Sequence, residues 1–195
     1  MRSTEERLGM ICTIVKENNG IGKTALMKLI YILQQVYKVP LGYNYSIYTY
    51  GPYSAEVMNG IDFAEQSGLI SIEIVPIGLS CTGYKLEHRD KADEAIKDVD
   101  GSLSKYKEMI REAIGAFGQK NAKELELTTT IIYAYANYYD KVRESGDVDE
   151  RIIEIVSKIK PLFQRDSIRQ EYKALKDNGM LAKALPISFS LEPTA

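Results

Sequence analysis

The sequence predicts a mainly α fold of the α+β class: a winged-helix-like N-terminal half with a small β-hairpin or sheet, followed by a C-terminal helical bundle. Three observations predict it. Apolar residues recur at helical spacing before residue 37 and again from residue 102 onward. Residues 43–50 alternate at strand period instead, then meet Gly51-Pro52 and a further helix. Two short alternating runs, 69–75 and 82–87, enclose a turn-forming link from Pro76 to Cys81.

Ser3 followed by Glu6 forms a capping box that opens a first helix over 3–18, with Leu8, Ile11, Cys12 and Val15 on its buried face. Asn19-Gly20 tolerate the left-handed backbone that closes it. A second helix, 23–37, is apolar on more than one stripe, which places it centrally, touched from two sides. Pro40 and Gly42 end it and turn the chain. In the strand 43–50, Tyr45, Ile47 and Thr49 point one way and Tyr48 and Tyr50 the other, so both faces are expected to be covered. Gly51-Pro52 is read as the corner and Ser54 as the cap of a helix over 55–66. Val57, Met58, Ile61 and Ala64 face inward there, and Gly68 terminates it. Ile70, Ile72 and Ile74 give the next run a half-buried strand pattern.

Residues 90–101 are charged and read as a linker or short helix, with Gly101 as the boundary between the half at 1–89 and a helical half at 102–183. The second half is expected to pack on the first. Leu103, Tyr106, Ile110, Ala113 and Phe117 stripe one helix, and Asn121 with Glu124 caps the next. Ile152, Ile153, Val156 and Ile159 mark a third, stopped by Pro161. Asp166 is read as the cap of a fourth, ending at Asn178-Gly179, and 184–195 as a tail.

A chain of 195 residues with 45% hydrophobic and 27% charged residues is ordinary for a globular protein. The net charge of −2 gives no bulk attraction to nucleic acid or anionic membrane. Cys12 and Cys81 are read as free thiols and not as a disulfide framework. The charged N-terminus lacks a signal-like apolar run and no stretch is long enough to span a bilayer, so a cytoplasmic protein is expected.

No catalytic set emerges. Gly22-Lys23-Thr24 resembles the end of a phosphate loop, but Glu17 stands where the motif needs its first glycine and a helix precedes it, not a strand. His88, the only histidine, excludes His-rich metal sites and is expected to face solvent; no metal or cofactor is expected. Paired carboxylates such as Glu124 and Glu126 read as helix-end charges. The tyrosines stand out: fourteen, with no tryptophan, clustered at Tyr43, Tyr45, Tyr48, Tyr50 and Tyr53 and again at Tyr133, Tyr135, Tyr138 and Tyr139. Rings in such density pack a core or form a recognition surface for another polypeptide. Nucleic-acid recognition is the alternative, through phosphate contacts at Lys23, Lys28, Lys85 and Arg89. Against it, cations and carboxylates each number eight over 1–89, and the 55–66 helix carries Glu56, Asp62 and Glu65 with no cation. A third reading is an enzyme with a pocket around Tyr48, Tyr50 and Tyr53.

Residues 23–33, with Lys28-Leu29-Ile30-Tyr31-Ile32-Leu33, the Tyr48-x-Tyr50-Gly51-Pro52-Tyr53-Ser54 corner and the Gly68-Leu69-Ile70 strand entry resemble the prokaryotic family typified by YwgA. More distantly they are similar to the Panacea, or SocA-like, antitoxin domain. Glu124-Leu125-Glu126-Leu127 and Lys160-Pro161-x-Phe163 extend the likeness toward the C-terminus. The resemblance implies a compact helical protein and, through the Panacea relatives, a role in neutralising or delivering a toxin by protein contact. It supplies no catalytic or toxin-binding residues. The leading expectation is a non-enzymatic protein–protein interaction module, antitoxin-like, with a protein partner (a toxin, or a second copy in a homodimer). The alternative is a winged-helix DNA-binding regulator.

Overall fold

The computed structural model describes residues 3–77, 81–144 and 146–186, together with the backbone but not the side chain of Cys81. Helix dominates, with two small antiparallel two-stranded sheets, as a mainly α member of the α+β class. Helix α1 (Thr4–Glu17) opens with the capping box of Ser3 and Glu6, both reciprocal bonds being present. Helix α2 (Lys23–Gln35) is the central element. Its residues 26–33 are all buried, and it touches α1 and, among the elements introduced below, α3, α6, α7 and a strand of each hairpin. That is why its sequence is apolar nearly all round.

After α2 the chain passes through buried Val39, Leu41 and Tyr43 without joining a sheet. The Gln34 amide stands in for a strand neighbour: it accepts from Tyr43 N and donates to Tyr43 O, both at 2.8 Å. The expected strand over 43–50 is therefore shortened to β1 (Ser46–Tyr48), which pairs with β2 (Gly51–Tyr53) through a two-residue turn at Thr49-Tyr50. The corner lies earlier than expected, and Gly51-Pro52 form the returning strand. Gly51 has φ +84°, a conformation glycine accepts without a Cβ penalty. One face of this hairpin is open, since Tyr48 and Tyr50 project into solvent.

Helix α3 (Ala55–Gln66) is capped by Ser54, whose hydroxyl accepts from Val57 N, and ends at Gly68 with φ +71°. Strands β3 (Ile70–Ile77) and β4 (Cys81–His88) pair from Ile70↔His88 to Ile77↔Cys81. Of the predicted link from Pro76 to Cys81, Pro76, Ile77 and Cys81 belong instead to the paired strands, and 78–80 lie outside the described residues. Gly20 and Ile21 bond both sides of Leu86, pinning the base of β4 to the α1–α2 junction. Ile70 and Leu86 are buried there, whereas Ile74, expected to be inward, lies past the body and is exposed.

Helix α4 (Ala92–Asp98) packs on α1, and α5 (Asp100–Leu103) contains Gly101. A 3₁₀ turn (Ser104–Tyr106) leads into α6 (Lys107–Phe117). The long α7 (Ala122–Val142) carries the second capping box, Asn121 with Glu124. Then come α8 (Val148–Ile159), α9 (Arg165–Asp177) and α10 (Met180–Ala184). Gln164, not Asp166, is the N-cap of α9; Asp166 sits inside its first turn and pairs with Arg169. Most of the predicted tail, 187–195, lies outside the described residues. Buried side chains from α1 through α10 belong to one hydrophobic cluster, so residues from both halves share a core. No helix among the described residues is long and apolar enough to cross a membrane.

Candidate functional site

The five tyrosines proposed as an interaction surface divide in two. Tyr43 is buried under Arg7, whose guanidinium lies 4.5 Å from the ring centroid and donates to the carbonyls of Leu41 and Gly42. Tyr45 packs edge-on to Tyr31 at 4.8 Å, and burial raises both phenols well above their ordinary pKa. Tyr43 belongs to the core, and Tyr45 is half-buried against it. Tyr48 and Tyr50 are 68% and 67% exposed and Tyr53 37%, with the rings of Tyr48 and Tyr53 5.9 Å apart. The second cluster, on α7, is packing: Tyr135 lies between Tyr139 and Tyr172, and Tyr172 donates to Asp149 at 2.8 Å.

What holds the open tyrosines in place is a buried ionic group that the sequence reading did not find. Lys28, on α2, is fully buried and donates to Pro52 O at 2.5 Å. Lys160, the C-cap of α8, donates to Thr49 O and pairs with Glu126 of α7 at 2.7 Å; the two side chains are only 4% and 14% exposed. Thr130, one turn along α7, turns its hydroxyl back to Glu126 O. Both lysine tips thus bind backbone carbonyls of one tight turn. The turn's φ-positive glycine fits against them: a Cβ on Gly51 would stand 2.8 Å from Thr130 Oγ1 and 3.3 Å from Lys28 Nζ. The Glu126 carboxylate is paired with Lys160, and Lys28 has Pro52 O as its hydrogen-bond partner. Burial above all, and then the neighbouring Lys160 cation, push the Lys28 amine down to about 7, with Glu126 opposing only in part.

Beside this turn lies a cleft of about 740 Å³ with mainly apolar walls, among them Tyr50, Ile159, Pro161, Leu162 and Phe163. Glu126 and Lys160 reach it from the floor and Lys123 from the rim, where its ammonium sits 5.5 Å from the Phe163 ring centroid. Leu162 is 93% exposed in the short connection between α8 and α9. Leu162 and Tyr50 thus line the same cleft, and both are exposed.

The four cations proposed for phosphate contact differ in their surroundings. Lys28 is sealed in the core. Lys23 pairs with Asp62 at 2.8 Å and lies over the Tyr84 ring, so α3 supplies the anion that Lys23 was expected to find in a ligand. Lys85 pairs with Glu87 on its own strand at 2.7 Å, and Arg89 is exposed. His88 is not solvent-facing as expected. Helix α4 folds back over α1 and sets Asp93 3.0 Å from His88 Nε2, and Lys16 shares the same carboxylate. Cys12 is buried, which pushes its thiol up to about 12. Among the described residues, no group of three or more His, Cys, Asp or Glu side chains could hold a metal ion.

The signal that could have revealed the buried lysines was present. Lys28 interrupts the apolar run Leu26-Met27-x-Leu29-Ile30 in the middle of a helix that is apolar on more than one stripe. A cation there has to find oxygen atoms inside the protein. No protein-family model matches the chain, and no curated protein sequence matches it. The likeness to the YwgA-typified and Panacea families is therefore carried by the quoted residues alone.

Proposed function

We propose that this chain is a non-enzymatic protein–protein interaction module of a prokaryote, which receives a polypeptide segment in the cleft beside the β1–β2 turn. The observation that carries the reading is the convergence of exposed Tyr50 and exposed Leu162 on one apolar cleft, on a turn fixed from below by Lys28 and Lys160. Rigid aromatic anchors around a concave apolar floor are the usual anatomy of a binding hot spot. The resemblance to the antitoxin domain suggests a toxin as the kind of partner, held by contact and not by chemistry.

Site-specific photocrosslinking in the native host tests this. A benzophenone side chain at position 50 should capture a defined protein. The same group at position 97, on exposed Lys97 of α4, should not, and Leu162→Asp should abolish capture at 50. Equal capture at both positions, or capture at 50 that ignores Leu162→Asp, would overturn the proposal.

A further inference from the structure

We infer that the segment the cleft receives is apolar and carries an acidic side chain; this deepens the interaction reading above and rests on it. The argument is one of charge. The walls supplied by Tyr50, Ile159, Leu162 and Phe163 ask for an apolar occupant, but the ionic groups around them are not balanced. Glu126 is already engaged by Lys160, and Lys28 is buried on Pro52 O and does not line the cleft. At the rim, Lys123 meets the face of Phe163, and among the described residues it is in no salt bridge. Glu124, its neighbour in sequence, turns back to bond Asn121 N at 2.8 Å and so serves its own helix start.

A carboxylate entering over the Leu162–Phe163 ridge would meet the Lys123 ammonium at the rim, partly screened from water by the occupant's apolar part. A basic segment would bring its charge toward Lys123 with no unengaged carboxylate at the cleft to receive it. The phenol of Tyr50, which also lines the cleft, adds a donor. The occupant is therefore a segment of a partner protein in which an aromatic or large aliphatic residue lies close to an aspartate or glutamate.

Random-peptide display on the full chain, followed by fluorescence polarisation with the enriched sequences, tests the inference. Each peptide is made twice, with its acidic residue and with the matching amide. The acid form should bind about three- to tenfold more tightly than the amide, the range expected of a partly desolvated charge contact. Lys123→Glu should erase that difference, and a lysine in place of the peptide's acid should restore binding to the Lys123→Glu chain. Leu162 and Lys123 are both exposed, so these variants should keep the fold, and circular dichroism is the check. Acid and amide peptides that bind equally yet are lost with Leu162→Asp would refute the acidic occupant and leave the cleft standing. Peptides indifferent to Leu162→Asp and Tyr50→Ala would refute both. Failure to enrich any peptide, or self-association in the ultracentrifuge that Leu162→Asp removes, would likewise overturn the inference, the latter by making a second copy the occupant.

Discussion

The two hairpins of this molecule are held in opposite ways. The long β3–β4 hairpin is anchored at its base, where Leu86 is buried and bonded by the α1–α2 junction, and by Lys23 over the Tyr84 ring, while Ile74 and Ile77 are exposed. The β1–β2 hairpin has three residues per strand, too few to be stable alone. It is fixed through its turn by Lys28 and Lys160, which reach it from two different helices. One hairpin stands by its ladder and the other by tertiary anchoring. An isolated short hairpin offers no defined surface, and the lysines convert this one into a firm wall for the adjoining cleft.

The sharpest way to break the contrast is Lys160→Ala. It strands Glu126 in a nearly buried site and frees Thr49 O, so unfolding in urea should show a loss of about 3–5 kcal/mol, the usual cost of removing one member of a buried pair. A pH titration of stability comes next. The Lys28 amine is near 7 in the fold but takes the ordinary value of 10.5 in the unfolded chain. Between pH 7 and about 9 the unfolded chain binds the extra proton, so stability should rise with pH, by at most about 1.4 kcal/mol per unit for one group. Above about 9 the Cys12 thiol keeps a proton that the unfolded chain gives up, which offsets the Lys28 gain, so stability should level off up to about 10.5 and fall beyond it. Lys28→Met should remove the rise and leave the fall; a rise that survives Lys28→Met would show that another group causes it.

Gly51→Ala probes the same turn through its backbone. With φ +84° and Thr130 Oγ1 in the way, it should cost about 1–3 kcal/mol in thermal melts. The smallest effect belongs to the other hairpin: Ile77→Ser, at a position 59% exposed, should shift stability by less than about 0.5 kcal/mol. If Ile77→Ser proved as costly as Gly51→Ala, the two hairpins would not differ in the way described.

Local chemistry was readable in the sequence. Both capping boxes, the Ser54 cap and the glycines that close α3 and α9 stand where Ser3, Asn121, Ser54, Gly68 and Gly179 place them, because a cap bonds within a few residues of itself. The central place of α2 followed from its apolar circumference. The course of 43–50 did not. Alternation of Tyr43, Tyr45 and Ile47 matches a strand, but a side-chain amide replaces the ladder at Tyr43 and the chain reverses already at Thr49. The buried ionic group was less legible still: Lys160 meets Thr49 across 111 residues of sequence, and no local pattern encodes such a meeting. Lys28 looked like a surface cation because lysines usually are.

The anchoring also separates two tasks along one short stretch of chain. Thr49 and Pro52 are gripped by their carbonyls, atoms that every amino acid possesses, so the grip is indifferent to which side chains stand at 48 and 50. Those positions can exchange one residue for another without loosening the frame. A family of binders differing only in what they recognise could be made by rewriting two letters.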